Sequence, residues 1–117
     1  MNRLLIVALL ALSACATAPQ SPAQAVYAAH GNYAAALTVA VAYRRLPPCA
    51  PSGPPLCSDK RIVADLQKAD NVAFDALSAA QRVARAPGAG ANVQTAINAA
   101  NQAIGAFSSI TASLQVN

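Results

Sequence analysis

The chain predicts an all-α fold, a small antiparallel three-helix bundle. Two stretches repeat apolar residues at alternating four- and three-residue steps, alanine dominates the composition, and no stretch of useful length alternates apolar with polar residues. The four/three spacing puts one apolar stripe on a helix, whereas a half-buried strand needs a period of two. Proline- and glycine-rich breaks leave three such segments, and short connections make consecutive helices antiparallel neighbours.

The first helix is expected over about 22–45. Ser21-Pro22-Ala23-Gln24 is a helix start, with Ser21 as N-cap, Pro22 in the first turn and Gln24 reaching back to the cap. Tyr33, Leu37, Ala40 and Val41 are expected on the inner side, and Gly31-Asn32 weakens the middle of the helix, where a kink or break could form. Pro47-Pro48 ends the helix.

The second helix is expected over about 58–86, starting at Ser58 or Asp59. Ile62, Leu66, Ala69, Ala73, Ala76, Ala80 and Val83 form a heptad-like seam with alanine at its centre. Pro87-Gly88-Ala89-Gly90 forces the next turn. The third helix, about 92–115, has the clearest pattern. Val93, Ile97, Ala100, Ile104, Phe107, Thr111 and Leu114 alternate large and small residues that interlock with the alanine stripe before them. Large apolar side chains are sparse and tryptophan is absent, so the core is thin, the helices lie close together and a staple or self-association is expected.

The amino end has a different character. Met1-Asn2-Arg3 carries one positive charge, Leu4 to Leu12 is an unbroken apolar run of nine residues, and Leu12-Ser13-Ala14-Cys15 follows. Nine helical residues span only about 13 Å against a bilayer core of roughly 30 Å, so the pattern fits a cleavable leader rather than a permanent span. It resembles a bacterial lipoprotein signal peptide ending in a lipobox; the alternative is an ordinary secretory peptide cut elsewhere, with Cys15 incidental. The resemblance covers residues 1–15 and implies processing, not fold: 1–14 removed, Cys15 carrying diacylglyceryl and amine-linked acyl chains of the palmitate type, 15–21 a tether and 22–117 the bundle. Two or more acyl chains anchor stably where one is marginal. Ala16 after the cysteine, where an Asp retains members of this class in the inner membrane, implies the outer membrane facing the periplasm.

That compartment is oxidising, and with Cys15 lipidated the remaining pair is Cys49 and Cys57, which bound the run Cys49-Ala50-Pro51-Ser52-Gly53-Pro54-Pro55-Leu56-Cys57. The resemblance therefore implies a Cys49–Cys57 disulfide, with free thiols and a metal site as alternatives. Zinc needs about four ligands, and the single histidine, His30, is remote along the chain.

Apart from Arg3, every charged side chain falls between Arg44 and Arg85. The outer faces of the first and third helices are polar without charge, through Gln24, Asn32, Thr38, Gln94, Asn98, Asn101 and Gln102. Such faces repel one another weakly, which makes them candidates for homo-oligomerisation or a partner contact, or simply solvated surface. Arg44, Arg45, Lys60 and Arg61 flank the cysteine loop, and a hairpin gathers all four at one pole, about 35 Å from the lipid end of the first helix. The pole is a candidate anion- or partner-binding surface facing peptidoglycan or another envelope protein; the competing reading is a solvated cluster with local Arg61–Asp65 and Asp65–Lys68 pairs. Arg82 and Arg85 belong to the other pole, where anionic headgroups or the helix dipole alone account for them.

No catalytic constellation emerges. Glutamate is absent and the four acidic residues, Asp59, Asp65, Asp70 and Asp75, share one helix; Asp70 and Asp75 do not face each other. His30 has no nucleophile at a recognisable spacing and reads as a surface or packing histidine. Gly88 and Gly90 mark a turn rather than a phosphate loop, and Tyr27, Tyr33 and Tyr43 read as packing residues with polar tips. The net charge of +4 suggests nucleic acid, but the export leader argues against it. The expected function is a structural or protein-interaction module of the cell envelope, without cofactor, metal or catalysis. The rivals are a helical bundle holding a small apolar ligand and a phage-type lysis or immunity lipoprotein.

Overall fold

The computed structural model describes residues 21–88 and 90–115, which form an all-α, antiparallel three-helix bundle. Helix α1 spans Pro22–Arg44, α2 spans Lys60–Arg85 and α3 spans Gly90–Gln115. The expected leader, Cys15 and most of the tether lie outside the described residues.

Each helix begins for an identifiable reason. At α1, Gln24 N–H donates to Ser21 Oγ at 3.3 Å while Ser21 N–H donates to Gln24 Oε1 at 3.0 Å, closing a reciprocal capping box with Pro22 in the first turn. Gly31-Asn32 does not interrupt the helix; the backbone runs continuously to Arg44. One weak propensity site is outweighed by the packing of its neighbours Ala29, Tyr33 and Ala36 against the other helices. Helix α2 starts two residues later than the earliest expected position. Asp59 is the N-cap, accepting from Arg61 N–H at 2.7 Å, because Ser58 is engaged elsewhere. Gly88 and Gly90 turn the chain into α3 with φ of +73° and +46°, values that disfavour any side chain, so α3 opens at Gly90, slightly ahead of Asn92.

The core is thin and built largely from alanine. Toward the loop end, Ala29, Ala36, Ala40, Leu66, Ala73, Leu77, Ile104 and Phe107 cluster; toward the turn end, Val26, Ala80, Val93, Ile97 and Ala100 do so. Phe107 and Leu77 are the largest fully buried side chains. The α3 seam lies inward as expected, including Thr111, whose hydroxyl donates to the Ser108 carbonyl at 2.9 Å. On α1, Tyr33, Leu37 and Ala40 pack in the core as expected, but the rest of the inner side differs. Val26, Ala29 and Ala36 are buried beside Ala40, whereas Val41 is 39% exposed. Alanines lie on several sides of α1, and the face that packs turns Val26, Ala29 and Ala36 inward while Val41 is left at the edge.

Candidate functional site

The loop between α1 and α2 is tied down at several points. The Cys49–Cys57 disulfide, with Cα atoms 4.8 Å apart, closes the proline-rich segment. Outside it, Cys49 N–H donates to the Ser58 carbonyl at 3.2 Å and Ser58 N–H to the Pro47 carbonyl at 2.9 Å, so the loop's two strands meet. The Ser58 hydroxyl, in a residue only 7% exposed, donates to the Leu46 carbonyl at 3.0 Å. Tyr43 adds a bond from the helix side: its hydroxyl accepts from Asp59 N–H at 2.9 Å. Asp59 is thus held as the cap of α2 while its own N–H is satisfied by α1.

This frame gathers the chain positions of Arg44, Arg45, Lys60 and Arg61 at one end of the bundle, and all four side chains are exposed. Arg44 borders the groove between α1 and α2, opposite Val63, Gln67 and Asp70. The expected Arg61–Asp65 and Asp65–Lys68 pairs do not form among the described residues. The pole therefore presents solvated cations on a rigid support. Leu56, 66% exposed beside Cys57, adds an apolar element to it.

The opposite pole joins the start of α1 to the end of α2. Tyr27 and His30 share a shallow groove of about 230 Å³ with Gln81 and Arg85, and Tyr27 is 82% exposed. Tyr27 and His30 are therefore surface residues, while Tyr33 and Tyr43 turn inward to hydrogen-bond Asp70 and Asp59.

The uncharged faces are in place as well. Gln24, Asn32, Thr38, Gln94, Asn98, Asn101 and Gln102 are all exposed, and Gln94 donates to Asn98 one helical turn on at 3.0 Å. A shallow groove of about 620 Å³ runs between α1 and α3, floored by Ala25, Ala29, Ala36 and Ile104. A second, of about 520 Å³, lies between α2 and α3 and is lined by Ile62, Ala69, Val72, Ala103, Ile110 and Leu114, with Asp65 and Lys68 at its rim. No described helix is long and apolar enough to cross a membrane.

The sequence marks Tyr43 as a packing residue and Ser58 as a possible helix start, but not their bonds to Asp59 and Leu46 that brace the basic pole. Both act through contacts that join α1 and its following loop to the start of α2, and neither belongs to a periodic pattern. The only available signal was the placement of a tyrosine just before the helix end and a serine just before the next cap.

No protein-family model, curated protein or solved structure matches the chain.

Proposed function

We propose that the chain is the precursor of a small lipid-anchored protein of the bacterial envelope, acting as a structural or protein-interaction module without catalysis. The membrane is the outer one and the bundle faces the periplasm. The leader and the Leu12-Ser13-Ala14-Cys15 motif support the anchoring. The observation that carries the interaction reading is the stapled basic pole: four exposed cations on a frame fixed by Cys49–Cys57, Ser58 and Tyr43, at the end of α1 remote from Cys15. A pole held this way offers a peptidoglycan anion or an acidic partner its cations without the cost of ordering the loop on binding.

Two measurements test this. Intact-mass analysis of the protein expressed in a bacterial host should give a chain beginning at Cys15 and carrying acyl groups; an unprocessed, unacylated polypeptide rejects the anchor. Sedimentation with purified peptidoglycan should weaken when Arg44, Arg45, Lys60 and Arg61 are all changed to Gln; unchanged binding rejects the pole.

The apolar groove between α2 and α3 favours one second reading, an apolar-ligand carrier. Native mass spectrometry of the purified protein separates the two, because only a carrier retains a small apolar molecule.

A further inference from the structure

We propose that the end of the bundle opposite the disulfide is a headgroup-contact face, seating the protein on an anionic bilayer surface through Tyr27, His30, Arg82 and Arg85. The inference rests on the lipid-anchored reading above, which supplies the bilayer. Tyr27 stands 82% exposed in the second turn of α1, where packing gives a large ring no role. An aromatic ring with a polar tip is suited to the boundary between headgroups and water. His30, Gln81 and Arg85 line the same groove. The wall thus offers hydrogen-bond donors from two helices and no carboxylate, which complements a phosphodiester that brings negative charge and acceptors only.

Arg82 is exposed three residues before Arg85, on the same side of α2. The nearest acidic residue along that helix, Asp75, lies roughly 10 Å of helix rise further back. The helix dipole accounts for arginines at the end of α2, but not for an exposed tyrosine and a histidine on the adjoining helix. Geometry selects this end over the other. Cys15 and Ser21 are joined by a stretch that extends to no more than about 20 Å, whereas the stapled pole lies a further helix length away. Paired arginines at such a surface correspond to about a thirty-fold preference for anionic over neutral headgroups.

The absence of tryptophan makes the test direct. Tyr27→Trp places a single reporter at the face, and Leu56→Trp places one at the opposite pole. Each lipidated protein is reconstituted into phosphatidylcholine vesicles with or without phosphatidylglycerol. Flotation reads the anchor; tryptophan emission and quenching by brominated lipid read the seating. With phosphatidylglycerol, the Tyr27→Trp emission should move to shorter wavelength and be quenched, while Leu56→Trp should remain in water. Adding Arg82→Gln and Arg85→Gln should return the Tyr27→Trp signal to its value in phosphatidylcholine alone, with flotation unchanged. Floating protein whose Tyr27→Trp signal is the same in both lipids overturns the proposal. So does equal quenching at Leu56→Trp, or a shift that disappears on diluting the protein in the membrane, which would assign the face to a second copy. Failure of the unsubstituted chain to float rejects the anchored reading instead.

Discussion

The hydroxyl of Tyr33 on α1 donates a 2.6 Å hydrogen bond to Oδ1 of Asp70 on α2, linking residues 37 positions apart in the chain. The same ring lies 6.1 Å from that of Phe107 on α3 and 6.5 Å from that of Phe74, both tilted. One side chain therefore joins all three helices, with its polar tip on one and its face on another. Tyr33→Phe keeps the ring and removes the bond, and should cost about 0.5–1.5 kcal/mol in a urea denaturation series.

That bond also sets an alkaline limit. Burial, reinforced by the hydrogen bond to Asp70 and by its negative charge, pushes the Tyr33 phenol up from 10.0 to about 12. The folded state holds the proton more tightly than the unfolded chain. The resulting stabilisation is complete below pH 10 and is lost as the pH rises toward about 12. Thermal midpoints measured across that window should fall more steeply for the parent than for Tyr33→Phe. Parallel slopes would show that Tyr33 makes no such contribution.

Ala73 and Ala100 are fully buried, and their size sets how closely α2 and α3 approach. Ala100→Leu should destabilise by about 1–3 kcal/mol through overpacking. Phe107→Ala, at a position with no exposure, should cost about 3–5 kcal/mol by leaving a cavity. In so thin a core that approaches the whole stability of the domain, so loss of the cooperative melting transition is the expected readout.

Two glycines stand where nothing requires them. A Cβ at Gly31 or Gly105 would meet nothing within 4 Å beyond its own helix backbone, and both lie inside helices. Gly31→Ala and Gly105→Ala should each raise stability by about 0.5–1 kcal/mol, seen as a higher denaturation midpoint with unchanged slope.

Reducing the Cys49–Cys57 bond, or changing both residues to Ser, should cost about 2.5 kcal/mol on the chain-entropy view of so short a loop. Denaturation with and without reductant measures it. Part of the frame should persist, because the Ser58 and Tyr43 hydrogen bonds do not depend on sulfur.

The sequence disclosed α3 most completely, since its large residues contrast with polar neighbours and its seam from Val93 to Thr111 is buried throughout. Leu77 on α2 was hidden by a strict seven-residue reading. A helix packed against two others buries a wider stripe, which takes in the residue beside Ala73 and Ala80. α1 was hardest to orient, because alanines on several faces remove the contrast that periodicity depends on. The basic pole was legible as a charge cluster, and the hairpin places its four residues together. The supports at Tyr43 and Ser58, like the Tyr33–Asp70 bond, join partners that no local pattern pairs. They become visible only when the helices are laid side by side.

The staple also gives the molecule a mechanical polarity. A load pulling on the amino terminus enters α1 at Ser21, where alanines and Val26 hold the helix to its neighbours. Peeling would advance along α1 until it met the covalent rivet between Cys49 and Cys57. Beyond the rivet the force would bypass the enclosed loop and pass straight into the start of α2. The bundle would yield from its amino-terminal end while the far tip kept its shape longest.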